Sequence, residues 1–379
     1  MRVLLIKSGG VFWCEDQLHK QSGYGDTENT LGIMRYLRDH HDTMFLGQWR
    51  GTLMNGVIGV EPDMRGMKYT AGDRQVELAE ETLKIVEKFN PEVVLDVVGP
   101  PWTRSWVNNS DGVVCQDCSV RHAGVPLFVI NALGLPRIVI VTDFRNYPKN
   151  IEFTNDFPLA IPAAILGQEN KEWRCTIGGV KHDCVAVNAR AETWFDYGNE
   201  WELPSKLANG PMLAVAHSHQ DSSSYPRWIR EAKYDVWRYI WGTYPQLEIT
   251  GRGWDDWECA HFKWAGPAAW AELSTRFGGP LIPPTPTFGT SKLRKYLRAG
   301  SCPFIWDGDC LRYDGAYQFV PKDSPLRFED LAAAGRREPS VLLDSMHAAK
   351  AATEPDFAVL EACMAKPVGY GGYSAVLDR

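Results

Sequence analysis

Residues 137–148 read RIVIVTDFRNYP, in which the β-prone run 138–142 passes straight into an acid, Asp143, and a polar loop closed by Pro148. Such a run, following Gly134, Leu135 and Pro136, predicts a buried parallel strand. Parallel strands of this kind belong to sheets covered by helices on both faces. Ligands of open α/β sheets sit just beyond the carboxyl ends of the strands. Asp143 therefore stands where a catalytic base has to be, although an acid at this point can also cap a turn or a helix.

The preceding segments repeat the pattern. Residues 2–7 form a short apolar strand that runs into Ser8, Gly9 and Gly10, where backbone amides can approach a ligand closely; the dinucleotide fingerprint GxGxxG is absent. A polar loop at 23–29 leads into a helix with Leu31, Met34 and Leu37 on one face and Asp26 or Thr27 as its N-cap. Glu28 in its first turn either complements the helix dipole or points toward a ligand to hold sugar hydroxyls. Residues 43–47 predict a second strand, 73–89 an amphipathic helix ended by Asn90 and Pro91, and 93–98 a third strand. The loop at 99–109 combines Trp102, Arg104 and Trp106 with two asparagines. Rings that stack, a guanidinium that pairs with phosphate and amides that read polar edges suit a flat anionic partner. The same composition also fits an ordinary surface loop. A helical segment between Cys118 and Leu133 returns to the Asp143 strand, and the βαβαβαβ order implies a parallel sheet.

Residues 150–204 show no clear periodicity and are assigned to the end of the first domain and the passage to a second. The alternation then restarts. A strand at 212–216 precedes the loop 217–224, where His217, Ser218 and further hydroxyls could bind phosphate. Pro226 opens a helix carrying Arg227 and Arg230 in its early turns, where they oppose the dipole and favour an anion site. A strand at 247–250 ends in Gly251, Arg252 and Gly253; a helix at 268–277 and a proline-broken stretch at 280–286 follow. Residues 289–300, GTSKLRKYLRAG, then lead a basic helix into a strand at 303–306. The entry through Thr290 and Ser291, with Lys292 and Arg294 behind, is a natural diphosphate cradle, or else a solvated basic face. A last helix covers 355–365.

The totals agree with two domains. The chain has 379 residues, 44% hydrophobic and 23% charged, which is too long for one ordinary core. No apolar run reaches the ~18 residues of a membrane span, and the first residues lack a signal-peptide pattern, so a soluble cytoplasmic protein is expected. Nine cysteines at scattered spacing, with one CxxC at Cys115 and Cys118, fit reduced thiols better than a structural metal. A net charge of −7 argues against a wholly basic nucleic-acid surface while allowing a local basic groove.

Two α/β halves and the helix S-K-x-x-x-Y-L-x-A-G-x-x-P resemble the GT-B glycosyltransferases. Within them the chain resembles, in collinear blocks, the phage DNA β-glucosyltransferases that act on 5-hydroxymethylcytosine. VTDFRNYP at 141–148 is similar to their catalytic aspartate segment, RVLLIKSGG to their opening strand and sugar-side loop, and Thr27-Glu28-Asn29 to their sugar-contacting helix start. LEITGRGW, HFKWAGPAAW and KLRKYLRAGSCPFIWD fall in order where that family binds uridine diphosphate. Two departures stand out: Tyr296 replaces the acidic ribose ligand, and the matching arginine is shifted to Lys292, Arg294 or Lys295.

The resemblance implies two Rossmann-like domains facing across a cleft, at 1–200 and 205–352, with a C-terminal helix from about 353–379 packing back on the first. It implies an inverting transfer in which Asp143 deprotonates an acceptor hydroxyl. The donor is a UDP-sugar, UDP-glucose first, with any divalent metal auxiliary. Ser8, Gly9, Gly10, Glu28, His217, Ser218, Arg227, Arg252, Gly266, Thr290, Ser291, Lys292, Arg294 and Tyr296 are its expected contacts. The acceptor is double-stranded DNA bearing a hydroxymethylated pyrimidine flipped out of the stack, met by Trp102, Arg104, Trp106 and Arg145. The setting is a monomer in the cytoplasm of an infected bacterial host. The alternatives are a GT-B transferase for a small molecule, lipid or protein, a two-lobed sugar-binding module, and a nucleotide-sugar epimerase.

Overall fold

A computed structural model describes residues 1–7, 12–20, 25–62, 73–98, 129, 132–141, 150–153, 164–167, 171–177, 180–188, 191–203, 205–207, 214–216, 248–250, 263–264, 280–282, 290–305, 324–326 and 338–365. The chain divides into two compact units, Met1–Gly198 with Pro355–Arg379, and Asn199–Glu354.

The first unit is built on β1 (Arg2–Lys7), α1 (Gly25–His40), β3 (Asp42–Leu46), β5 (Val57–Val60), α2 (Asp73–Phe89), β6 (Val93–Val98) and β7 (Arg137–Val141). A two-stranded ladder of β2 (Phe12–Trp13) and β4 (Trp49–Arg50) stands apart from the main sheet. The nine-stranded sheet has the order β5-β3-β1-β6-β7-β9-β11-β10-β8, with β8 (Asn150–Phe153), β9 (Ala164–Gly167), β10 (Lys171–Ile177) and β11 (Val180–Asn188) completing it. From β5 through β11 every pairing is parallel; β10 turns antiparallel to β11 and then pairs parallel with β8.

Alternation along the strands separates two cores, as a sheet covered on both faces requires. Val3, Leu5, Leu95, Val97, Ile138 and Ile140 face one way, where Leu31, Ile33, Met34 and Leu37 of α1 cover them. Leu4, Ile6, Met44, Leu46 and Val94 face the other way, against Val86 of α2. A 3₁₀ turn, Ala191–Asp196, lies so close to α1 that a Cβ on Gly32 would stand 1.8 Å from the Trp194 carbonyl oxygen. Only glycine permits that approach. Arg35 then donates to the carbonyls of Phe195 and Tyr197 and pairs with Glu15 at 2.7 Å.

The C-terminal helix α5 (Ala358–Ala365) belongs to this same unit. Asp356 Oδ1 accepts the Ala358 N–H at 2.9 Å, so the helix begins three residues later than the sequence suggested. Phe357 stacks on Tyr36 and Trp194, at centroid distances of 3.8 and 4.7 Å. Trp194 Nε1 donates to the Asp356 carbonyl at 2.6 Å, and Glu361 accepts from Tyr36 and faces His41 Nε2 at 2.7 Å.

The second unit carries a five-stranded parallel sheet, β14-β13-β12-β15-β16. Its strands are β12 (Ala214–Ala216), β13 (Glu248–Thr250), β14 (Lys263–Trp264), β15 (Pro280–Ile282) and β16 (Phe304–Ile305). With them go the described helices α3 (Thr290–Arg298) and α4 (Pro339–Ala352). In each sheet the first strand, β1 or β12, is flanked on one side by the strands that follow it and on the other by later ones, which is the doubly wound arrangement.

Three expectations are corrected. The stretch 150–204 is ordered into four strands and a 3₁₀ turn. Period-2 alternation of Trp173, Cys175 and Ile177, followed by Gly178-Gly179, is a hairpin pattern that shorter apolar runs obscure. Helix α4 was not anticipated, although Pro339 at its start and Leu342, Met346 and Ala349 on its buried face mark it. Helix α1 begins at Gly25, which puts Asp26 and Thr27 inside its first turn instead of at the N-cap. Among the described residues Cys14, Cys302 and Cys363 are buried, and no helix is long and apolar enough to cross a membrane.

Candidate functional site

In the first unit the carboxyl ends of three adjacent strands lie level. Lys7 of β1 stands opposite Val97 of β6, and Val98 opposite Val141 of β7. From these ends the chain continues to Ser8, Gly9 and Gly10, to the loop bearing Trp102, Arg104 and Trp106, and to Asp143 and Arg145. Those eight residues lie outside the described ones. The strand ends that launch them are described: Asp143 follows Val141 by two residues, a reach of roughly 7 Å at most. The edge is also the switch point of the sheet, since β1 has β3 on one side and β6 on the other.

Just behind this edge is a charged pair. Asp96 on β6 is fully buried and Arg137 on β7 is 2% exposed. Arg137 Nε and Nη2 both donate to Asp96 Oδ2, at 3.0 and 2.6 Å. Arg137 stands opposite Val94 in the ladder, so its side chain reaches along the sheet toward the carboxyl edge to meet Asp96. An acid inside the apolar run VVLDVV was the visible signal, because an ionised carboxylate is almost never buried without a partner. Lys7, at the end of β1, is buried as well. Glu28 is half-buried near the start of α1.

The second unit repeats the layout. Ala216 stands opposite Thr250, Ile249 opposite Trp264, and Ile282 opposite Ile305, so these strands end along one edge. His217 and Ser218 follow β12 directly, Arg252 follows β13 by two residues, and Gly266 follows β14 by two. These four and Arg227 lie outside the described residues. Thr290, Ser291 and Lys292 form the first turn of α3, where free backbone N–H groups point outward from the helix end.

Arg294 and Tyr296 were expected among the donor contacts. Both are buried on the inner face of α3 with Leu293 and Leu297. Arg294 Nη1 donates to the Lys350 carbonyl at 3.1 Å and to Thr353 Oγ1 at 3.0 Å, and Nη2 meets Glu354 at 3.3 Å. Its guanidinium also lies 5.2 Å from the Trp201 ring centroid. Burial holds its pKa below the ordinary arginine value, with Glu354 acting in the opposite direction. Arg294 thereby ties α3 to the carboxyl end of α4, donating to a Lys350 carbonyl that also accepts from Thr353. Burial likewise pushes the Tyr296 phenol upward. Helical periodicity could have warned of this: 293, 294, 296 and 297 share one face.

Among the described residues no group of three or more His, Cys, Asp or Glu side chains could hold a metal ion. No protein-family model matches the chain, and no curated protein sequence matches it. Solved structures align along most of its length at low similarity. The spinosyn rhamnosyltransferase SpnG complexed with thymidine diphosphate is 12% identical, covers 100% of both chains and has a TM-score of 0.36. The glycosyltransferase SnogD from Streptomyces nogalater is 12% identical over 97% of this chain and 99% of its own, with a TM-score of 0.39. WaaG, a glycosyltransferase of lipopolysaccharide biosynthesis, is 12% identical over 96% and 97%, with a TM-score of 0.40. These scores are too low to assign a class. What the chain's own strands define is a two-unit α/β protein with doubly wound, mainly parallel sheets and helix α5 returned to the first unit.

Proposed function

We propose that the chain is a GT-B glycosyltransferase that moves a sugar from a UDP-sugar to the hydroxymethyl group of a modified pyrimidine in duplex DNA. The observation that carries this reading is the repeated switch point: each sheet delivers its expected site residues from strands that end along one edge. Two such edges suit two substrates, a nucleotide sugar on unit 2 and an acceptor on unit 1.

On this reading Asp143 takes the proton from the acceptor hydroxyl as that oxygen attacks the anomeric carbon and the diphosphate departs. Ser218, Arg227 and the amide-rich start of α3 at Thr290, Ser291 and Lys292 stabilise the leaving charge. His217, Arg252 and Gly266 complete the nucleotide side. Ser8, Gly9, Gly10 and Glu28 hold the sugar, with UDP-glucose as the first donor. Trp102, Arg104, Trp106 and Arg145 support a base that has left the stack. The DNA acceptor rests on the sequence resemblance alone, and the named solved structures include transferases described by other products.

The test is labelled transfer from UDP-glucose to hydroxymethylated duplex DNA, unmodified duplex DNA and a panel of small acceptors. Label in the hydroxymethylated duplex only is the expected result. Label in small acceptors only would overturn the DNA assignment and retain the transferase; no donor turnover would overturn both.

A further inference from the structure

The chain passes between the two units twice, after Gly198 and before Pro355. Both passages are short between their fixed points. In unit 1 the Tyr197 N–H donates to the Trp194 carbonyl, the Tyr197 carbonyl accepts from Arg35, and the Asp356 carbonyl accepts from Trp194 Nε1. In unit 2 the fixed points are Trp201 and Glu354. Residues 198–200 separate Tyr197 from Trp201, and Pro355 alone separates Glu354 from Asp356.

Arg294 holds both of those points in unit 2. It is 1% exposed, with its guanidinium 5.2 Å from the Trp201 ring centroid. Nη1 donates to the Lys350 carbonyl and to Thr353 Oγ1, and Nη2 meets Glu354 Oε2 at 3.3 Å. Lys350 braces the same place, its Nζ 4.9 Å from the Trp201 centroid and 2.5 Å from Glu354 Oε1. Arg294 stands one turn beyond Thr290, between the core residues Leu293 and Leu297. A single helical turn therefore joins the start of α3 to the points where the chain leaves and re-enters the unit. An apolar side chain would fill this space without losing hydration, whereas the planar fork of a guanidinium fixes several partners in one orientation.

We propose that Arg294 is a positioning residue for transfer, acting through the two chain passages and not through the donor. It fixes the course on which the chain leaves and re-enters unit 2. This rests on the glycosyl-transfer reading, with the nucleotide sugar on unit 2 and the acceptor on unit 1. Nucleotide binding then needs unit 2 alone, and transfer needs both units. A tie at the passages is required for transfer only, where a small misplacement far from the reacting atoms is costly.

The test compares wild type with Arg294→Lys, which keeps a cation and loses the fork, and with Glu354→Gln, which weakens the tie from an exposed position and keeps the test open if the first variant fails to fold. Leu297→Ala is the control, since it loosens the same helix without touching the passages. Calorimetric titration with UDP and UDP-glucose is combined with melting temperature and with kcat and KM for hydroxymethylated duplex DNA, or for whichever acceptor the wild type labels. The expected result is a kcat lowered about tenfold in Arg294→Lys and about threefold in Glu354→Gln, with UDP and UDP-glucose affinity unchanged. Leu297→Ala lowers the melting temperature and leaves kcat per folded molecule intact. Loss of UDP affinity in step with kcat makes Arg294 a donor contact and overturns the proposal, as does a kcat that follows melting temperature across all three variants. A wild type that turns over no UDP-glucose overturns the transfer reading and this inference together, whereas wild-type transfer that Arg294→Lys leaves at full rate overturns only the inference.

Discussion

Two acids of unit 1, one following β7 in sequence and one within β6, have opposite assignments. Asp143 is proposed to do chemistry two residues past the end of β7; Asp96 is held in the sheet by Arg137. Asp143→Asn should lower kcat by ~10²–10⁴-fold, the usual loss for a general base, with UDP-glucose affinity unchanged. Single-turnover transfer beside calorimetric titration separates the two effects. Asp96→Asn should instead destabilise unit 1 by ~3–5 kcal/mol, because the buried Arg137 cation loses the carboxylate to which it donates twice. Combining Asp96→Leu with Arg137→Met should recover part of that loss, since both charges of the pair are then removed. Urea unfolding of the three variants checks this, and an Asp96→Asn protein as stable as wild type contradicts it.

At the level of elements, close approach and polar ties are as important as apolar area. Gly32→Ala would drive a methyl group into the Trp194 carbonyl, and separating α1 from the 3₁₀ turn should cost ~1–3 kcal/mol, read as a lower urea midpoint. Two exposed carboxylates pin backbone. Glu92 accepts the Arg2 N–H at 2.7 Å, and Asp16 accepts the Thr52 N–H at 3.1 Å. These bonds hold both carboxyls below their usual range. Groups whose folded pKa is lowered stabilise fully above the unfolded value, ~4, and lose that contribution as pH falls through the folded value. Urea midpoints should therefore drop on acidification below about pH 4, and less steeply in Glu92→Gln.

The strands of the switch point were legible because buried parallel strands are written as short, mostly apolar runs: 2–7 and 93–98 were read with their observed bounds, and 137–141 within one residue. Strands β8 to β11 were less legible because their alternation carries charged residues such as Arg174 and Asp183 at paired positions, which weakens the apolar period. The partner of Arg294 was not legible at all. A guanidinium looks the same in sequence whether it awaits a phosphate or ties down a helix end fifty-six residues away.

Across the whole molecule, the chain leaves unit 1 after Gly198 and returns at Pro355, and each passage is anchored within its own unit. In unit 2, Trp201 near the outward passage and Glu354 at the return are both engaged by Arg294 and Lys350. In unit 1, Asp356 and Phe357 are fixed on Trp194. Arg294→Ala should thus lower the melting temperature of unit 2 instead of acting only on donor affinity. A differential scan with and without UDP distinguishes the two, and an unchanged apo melting temperature contradicts the structural role. The net charge of −7 means that DNA binding, if it is the function, must come from a local surface, and affinity should then fall with added salt. The central claim is tested most directly by incubating the protein with UDP-glucose and hydroxymethylated duplex DNA, digesting the DNA to nucleosides and weighing them by mass spectrometry. The account predicts a hexosylated hydroxymethylpyrimidine nucleoside, absent from unmodified DNA and from the Asp143→Asn reaction; UDP release without any such nucleoside would contradict it.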